Sequence, residues 1–328
     1  MSFCWKLWAA AAVLSVPLSG LAATCTSQAE LSAQDRDQLA STALRLAGAV
    51  AQQDAATLQS LLLSSEASSW PAIHSAADQA APLMAGGRMQ IRNLYLLDAS
   101  MLSAPANTDF FCSDKTGALN VTISMPSLPP GRYAVALVDA DGAKLAGQLG
   151  LILGLDTGAG GPAWKLGGLS AHQGVFDGHD GVWYWTRARA LAHTDPWSAW
   201  YSYEAAHYLL IPIDFLSSPN LEKLRQEQAQ ISPSPAKAFP LSLAQGDRVW
   251  KIDAVILNPA LHEPDLAVVY ESTGVTDPAA LRTEATSVLS ALLKAQPGLR
   301  ANFHGLWAIA VNNGQRMPVM ELPMAQIP

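Results

Sequence analysis

Four potential metal ligands lie within nine residues of one another, between residues 172 and 180. The side chains that could coordinate a metal there are those of His172, Asp177, His179 and Asp180. A zinc site needs three or four ligands in a defined geometry, and this spacing matches no such site. Neighbouring glycine turns and the start of a helix already account for Asp180 and His179. We therefore predict neither a metal site nor a cofactor.

A second pair with catalytic potential, Glu204 and His207, lies three residues apart on one predicted helix face. Di-iron helix bundles use such pairs, but they require two of them and two further glutamates. The sequence contains no second copy. It also lacks a nucleophile elbow, a phosphate-binding loop, a dinucleotide fingerprint and a zinc-protease helix. We interpret the pair as part of a solvated or interfacial helix face, and we assign no catalytic residue.

The aromatic residues are concentrated in residues 181–212, which contain four tryptophans and four tyrosines. Asp180 is a typical helix cap, and Asp195 followed by Pro196 indicates a second helix start. Small and large residues recur along the second helix, at Ala199, Tyr203, Ala206 and Leu210. This hairpin resembles one tetratricopeptide-type unit, with Arg187 where that family has a small residue. A single unit cannot bury its own apolar face, so we expect it to pack on a neighbouring domain.

The candidates for ligand contact are aromatic side chains: Trp70, Tyr95, Trp183, Trp185, Trp197 and Trp200. For those in the hairpin, interdomain packing is the first interpretation, because tryptophan and tyrosine bury large areas and keep a polar atom available. Two alternatives are an exposed face that stacks sugars or binds peptides, and a face that lies on a membrane surface.

The first half of the chain changes from helical to strand-like periodicity. Ser32 with Asp35 is typical of a capping box before an amphipathic helix, and Asp54 and Trp70 begin two further helices. Alternating apolar residues between 88 and 172, separated by Pro and Gly turns, then predict antiparallel strands.

This order resembles the cone-shaped nuclear transport factor two-like fold, which includes the SnoaL-like polyketide cyclases. The resemblance covers residues 28–172 and depends on "AVAQQDAATLQSLLL" at the helix junction and "WKLGGLSAH" at the end. It implies a curved antiparallel sheet and helices around a pocket, where enzymatic members place an Asp base. Tyr95, Asp98 or Trp70 could line such a pocket, but none aligns with a catalytic position.

The last third of the chain predicts a separate small domain. Residues 232–240 are rich in Pro, Ser and Ala and read as a linker. Strands, a helix that starts at Asp277 and a hairpin that turns at Asn313–Gly314 then predict a ββαββ unit in residues 241–328. We expect an α+β protein with domains at 23–172, 173–231 and 241–328.

The start of the chain has the composition of a secretory signal. Lys6 precedes an apolar run that ends in small residues, which favours cleavage after Ala22 and removal of residues 1–22. The apolar run is too short to span a membrane, and no longer one follows. Cys25 and Cys112 then remain, and an oxidising compartment favours a disulfide between them, with two buried thiols as the alternative.

The charge pattern limits the partners. Charged residues make up 14% of the chain and the net charge of −7 becomes −8 without Lys6, with no basic run. Nucleic acid and anionic lipid are therefore excluded as expected partners, which leaves an unknown protein or small-molecule ligand.

Three functional hypotheses follow. The first is a periplasmic or secreted bacterial protein that acts as a non-catalytic interaction or ligand-binding scaffold in the cell envelope. The second is a SnoaL-like enzyme that uses acid and base residues in the cone pocket. The third is an envelope carbohydrate-binding protein, which requires the hairpin tryptophans to be exposed in a row.

Overall fold

The computed structural model describes residues 23–114, 116–117, 120–158 and 160–328. The predicted signal peptide lies outside these described residues. Helices and strands are both abundant, so the α+β class is confirmed.

The helices and strands alternate in blocks along the chain. The helices are α1 (Ala33–Ala51), α2 (Ala55–Ser60), α3 (Trp70–Met84), α4 (Gly181–Leu191), α5 (Pro196–Leu210), α6 (Pro219–Ala229), α7 (Pro278–Ala295) and α8 (Leu299–Asn302). The strands of the first half are β1 (Thr24–Ser27), β2 (Arg88–Asp98), β3 (Ala106–Ser113), β4 (Asn120–Leu128), β5 (Arg132–Asp141), β6 (Gln148–Asp156) and β7 (Ala163–His172). The remaining strands are β8 (Val175–Phe176), β9 (His179–Asp180), β10 (Leu216–Ser217), β11 (Leu241–Gln245), β12 (Arg248–Asn258), β13 (Asp265–Glu271), β14 (Gly305–Asn312) and β15 (Gln315–Pro323).

Helices α1–α3 cover one face of an antiparallel sheet with the order β1-β2-β5-β6-β7. The capping prediction is confirmed, because the Ser32 hydroxyl accepts a hydrogen bond from the Asp35 amide at 3.0 Å. The space between these helices and the sheet is filled by apolar side chains, including Leu39, Met84 and Trp164, which are at most 6% exposed. This side of the sheet is therefore a packed core.

The opposite face of the same sheet carries a second, smaller core. Strands β3 and β4 leave the main sheet and form a three-stranded sheet with β10, which comes from the middle of the chain. A disulfide joins Cys25 in β1 to Cys112 in β3, with their Cα atoms 5.1 Å apart, which confirms the predicted pair. The bridge ties the first strand of the described chain to this smaller sheet.

Helices α4 and α5 form a hairpin. Each begins at the predicted residue, because the Asp180 carboxylate accepts the Trp183 amide at 2.8 Å and the Asp195 carboxylate accepts the Ser198 amide at 3.1 Å. Gly181 lies against Leu210, so the start of α4 meets the end of α5 and the two helices are antiparallel. Helix α6 packs against α5.

The last third of the chain forms a five-stranded sheet with the order β11-β12-β13-β14-β15. Helix α7 connects β13 to β14, which pair in parallel, and it packs against the sheet. The predicted turn is present, because Asn313 and Gly314 have φ angles of 50° and 77° between the paired residues Asn312 and Gln315.

The segment predicted as a linker is packed against its neighbours. It contains a short 3₁₀ helix, Pro235–Lys237, in which Pro235 is buried, and Phe239 lies against the C-terminal core. Among the described residues, no helix is both long enough and apolar enough to cross a membrane.

Candidate functional site

Most of the hairpin aromatics serve packing. Trp197 and Tyr201 are 6% and 2% exposed and belong to the core of the C-terminal sheet. The Tyr201 hydroxyl donates a hydrogen bond to the Val255 carbonyl in β12 at 3.0 Å. Helix α5 is therefore joined to the C-terminal sheet by both apolar and polar contacts.

The other candidate ligand-binding aromatics are dispersed. Trp183 is the most exposed at 36%, and it stacks on His179 with ring centres 3.9 Å apart. The Trp185 indole donates a hydrogen bond to Glu227 at 2.8 Å. Trp70 packs beside the helix-covered core, and Tyr95 is buried in the smaller core. The hairpin indoles thus do not form the exposed row that the carbohydrate hypothesis requires.

The potential metal ligands between residues 172 and 180 are also separated. Asp180 caps α4, Asp177 occupies a turn with a φ angle of 46°, and His179 stacks on Trp183. His172 lines a cavity that involves other titratable side chains, and Asp180 lines a second cavity that His172 also reaches. Within the described ranges, these four residues do not form a group close enough to share a metal ion.

The cavity beside His172, here called the junction pocket, has a volume of about 620 Å³ and lies where α5, the end of β7 and β12 meet. Its walls come from four parts of the chain: the end of β7, α5 with the residues that follow it, residues 236–239, and β12 with its following turn. The lining residues are His172, Trp200, Tyr201, Glu204, His207, Tyr208, Ile211, Asp214, Ala236, Phe239, Ala254, Val255, Ile256, Leu257 and Pro259. Pockets of this size, mostly apolar with a few polar groups, are typical of small-molecule sites between domains.

Helix α5 supplies one wall through its periodicity. Trp200, Glu204, Tyr208 and Ile211 follow one another at intervals of three or four residues, and His207 lies three residues after Glu204, which places all five on one helix face. The predicted Glu204 and His207 pair therefore faces a cavity, together with the candidate Trp200.

The polar end of the pocket combines neutral imidazoles with carboxylates. Burial lowers the pKa of His172, which the nearby Asp214 charge only partly offsets. Burial, followed by the neighbouring Arg225 charge, also lowers the pKa of His207. Arg225 Nε donates to His207 Nε2 at 3.1 Å, which fits an uncharged ring.

Hydrogen-bonding capacity remains unused in this pocket. Neither ring nitrogen of His172 has a hydrogen-bond partner. Glu204 accepts one hydrogen bond, from Gln228, and no described residue donates one to the Asp214 carboxylate. Asp214 is exposed and Glu204 is half-buried, so the argument rests on the two buried ring nitrogens of His172. Since buried polar groups are normally paired, these nitrogens mark the pocket as a site that a ligand's hydrogen-bonding groups would complete.

A second cavity, here called the polar groove, lies on the other side of His172 and Ile211. It has a volume of about 1050 Å³ and includes Tyr95 and Trp185 in its lining. Its polar groups already bind one another: Arg92 lies 3.6 Å from Asp139, which also accepts a hydrogen bond from Gln148. These charged groups of the groove are therefore already paired.

Sequence reasoning identified part of the pocket and missed the rest. It singled out His172, Trp200 and the Glu204 and His207 pair, but not Asp214 or the β12 wall. Asp214 follows α5 by four residues and carries no motif, so only the fold brings it to the site.

Comparisons with known proteins add no assignment. Neither a scan against protein-family models nor searches of curated proteins and of solved structures finds a match to this chain.

Proposed function

We propose that this protein is an exported bacterial binding protein of the cell envelope, without catalytic activity, whose junction pocket holds an amphiphilic small molecule. The apolar part of the ligand lies against Trp200, Phe239 and Leu257. Its polar end is a protonated amine, or another group rich in hydrogen-bond donors, that faces Glu204 and Asp214. The disulfide supports the exported location, because such bonds persist in oxidising compartments.

One observation carries this proposal. A single face of α5 presents an aromatic ring, a carboxylate and an uncharged imidazole to a 620 Å³ cavity that three other parts of the chain also line. With both histidines uncharged at neutral pH, the two carboxylates outnumber the neighbouring Arg225 guanidinium, and the polar end is negative. A cationic group therefore fits this end better than a carboxylate does.

The alternative hypotheses have less support. A SnoaL-like enzyme needs a pocket between the helices and the sheet, and that space contains Leu39, Leu46 and Met84, all 0% exposed. A carbohydrate-binding row needs exposed indoles, and Trp197 is only 6% exposed.

A matched set of compounds tests the proposal. Isothermal titration calorimetry at pH 7.5 would compare 4-phenylbutylamine, 4-phenylbutanol and 4-phenylbutyrate, which share one apolar body and differ in the polar end. We expect the amine to bind with a Kd below about 1 mM and at least about tenfold more tightly than the carboxylate, a difference of about 1.4 kcal/mol.

Variants locate the binding site. Glu204→Gln and Trp200→Ala should each weaken amine binding at least about threefold, because they remove the charge and the aromatic wall. Asp37→Asn removes an exposed carboxylate on α1 and should leave binding unchanged. The proposal is wrong if none of the three compounds binds at 1 mM, or if both pocket variants bind the amine as the unchanged protein does.

A further inference from the structure

Three side chains from adjacent strands meet at one end of the C-terminal sheet, away from the junction pocket. Asp265 begins β13, His304 immediately precedes β14, and Glu321 lies on β15 opposite Trp307. Strand β14 pairs with both of the other two strands. The sheet register therefore brings together three residues that are far apart in sequence.

The three groups are close enough to share one ion. One potential ligand atom from each of the three residues lies within 4.8 Å of the other two. His304 Nδ1 is 2.9 Å from Asp265 Oδ1, so this ring nitrogen faces the carboxylates rather than solvent.

Charge and hydrogen bonding are unbalanced at this cluster. Asp265 is 0% exposed, and its other oxygen accepts a hydrogen bond from the Trp307 indole at 3.0 Å. Glu321 Oε1 is buried from solvent and has no hydrogen-bond partner. One imidazole thus faces two carboxylates, and burying unpaired negative charge is costly unless a cation compensates it.

The backbone is shaped to bring the carboxylates together. Gly305 lies between them, where an added Cβ would be 2.7 Å from Glu321 Oε1 and 3.1 Å from Asp265 Oδ1. Any other residue at this position would push the carboxylates apart. The His304 side chain is 42% exposed, which leaves a route from solvent to the cluster.

We propose that Asp265, His304 and Glu321 bind a divalent metal ion of the zinc class through one imidazole nitrogen and two carboxylate oxygens. A mixed nitrogen and oxygen set suits Zn²⁺ better than Ca²⁺ or Mg²⁺, which prefer oxygen ligands alone. Two carboxylates and a neutral imidazole balance the charge of a divalent ion. The Trp307 indole orients Asp265 as an outer-shell partner of this site.

This inference departs from the sequence-based expectation of no metal site. Asp265 and His304 are 39 residues apart in sequence, so no short motif contains all three ligands. Only the pairing of β13, β14 and β15 assembles the cluster.

The test uses untagged protein that has been stripped with a chelator and freed of it by gel filtration. Isothermal titration calorimetry with Zn²⁺ alone should give one site per chain with a Kd below about 10 µM, in the range of an open three-ligand site. Co²⁺ should bind the same site and give visible absorption bands that Zn²⁺ abolishes. Thermal unfolding should shift upward with added Zn²⁺.

His304→Gln and Glu321→Gln should each weaken Zn²⁺ binding at least about tenfold, with circular dichroism confirming the fold. Because His304 is partly exposed, its variant tests the site even if the Glu321 variant does not fold. His74→Gln is the matched control, since His74 lies 3.7 Å from Asp78 on an exposed helix face. Absence of Zn²⁺ binding at 100 µM, or unchanged affinity in folded His304→Gln protein, would overturn the proposal.

Discussion

Replacing His172 by phenylalanine should make the protein more stable. The ring packs edge-on against Tyr208, with centres 5.7 Å apart, and both ring nitrogens are buried without partners. A phenyl ring of similar shape keeps the packing and removes the unpaired polar atoms. An unsatisfied buried group costs about 1–3 kcal/mol, so we expect the free energy of unfolding at pH 7.5 to rise by about that amount.

The same change should reduce sensitivity to acid. Burial lowers the pKa of His172 below its ordinary value, so the unfolded chain takes up a proton at a higher pH than the folded chain does. Stability is therefore retained above about pH 6.5 and lost as the pH falls below it. Over one pH unit below 6.5, a single such histidine removes at most about 1.4 kcal/mol.

Urea unfolding at pH 7.5 and 5.5, followed by tryptophan fluorescence and circular dichroism, measures both effects. The other histidines, including His207, titrate in both proteins, so their contribution cancels in the difference. His193→Phe changes an exposed histidine and should alter neither quantity. The reasoning fails if His172→Phe lowers stability by more than about 1 kcal/mol, or loses as much stability between the two pH values as the unchanged protein.

Three further predictions concern the contacts that hold the parts together. Replacing Cys25 and Cys112 by alanine opens the bridge between positions 87 apart in sequence, and should lower the free energy of unfolding in urea by about 4–5 kcal/mol. Gly298→Ala should lower the melting temperature, because the added Cβ would lie 1.9 Å from the Asp195 carboxylate that caps α5. Gly160→Ala is the control: its Cβ would enter open space, so the melting temperature should not change. Tyr201→Phe removes the 3.0 Å hydrogen bond to β12 and should lower the free energy of unfolding in urea by about 1 kcal/mol. An unchanged free energy of unfolding would mean that this hydrogen bond does not help to hold α5 on the C-terminal sheet.

Helix starts and tight turns could be predicted from the sequence because each depends on residues that lie within a few positions of one another. The caps at Ser32, Asp180 and Asp195 and the turn at Asn313–Gly314 all depend on side chains or φ angles adjacent in sequence. Each of these predictions is confirmed.

Strand pairing could not be predicted in the same way. The sequence indicated strands between residues 88 and 172 but not that β3 and β4 would leave the main sheet to pair with β10. Strand β11 is short and was missed although its partner β12 follows it directly in sequence. Strand β1 is also short, and its partner β2 is distant in sequence. Pairing of this kind is decided by which apolar faces meet, which a local pattern does not record.

The candidate site was partly predictable for the same reason. Trp200, Glu204 and His207 share one helix, so their common face follows from spacing alone. Asp214 and the β12 wall reach the pocket only through the packing of separate units. The metal cluster depends wholly on sheet register, and the sequence pattern gave no sign of it.

The position of the junction pocket follows from the way α5 divides its side chains. Trp197 and Tyr201 enter the C-terminal core, while Tyr203 and Ala206 pack against α4 and α6. The remaining face, which carries Glu204, His207 and Tyr208, is only partly buried and faces the gap between two sheets with separate cores. Helix α5 packs against both sheets with their helices, here called the two lobes. A cavity remains along the part of α5 that neither lobe covers. A ligand in that cavity contacts β12 and the end of β7 together, so binding should stabilise the two lobes against separation.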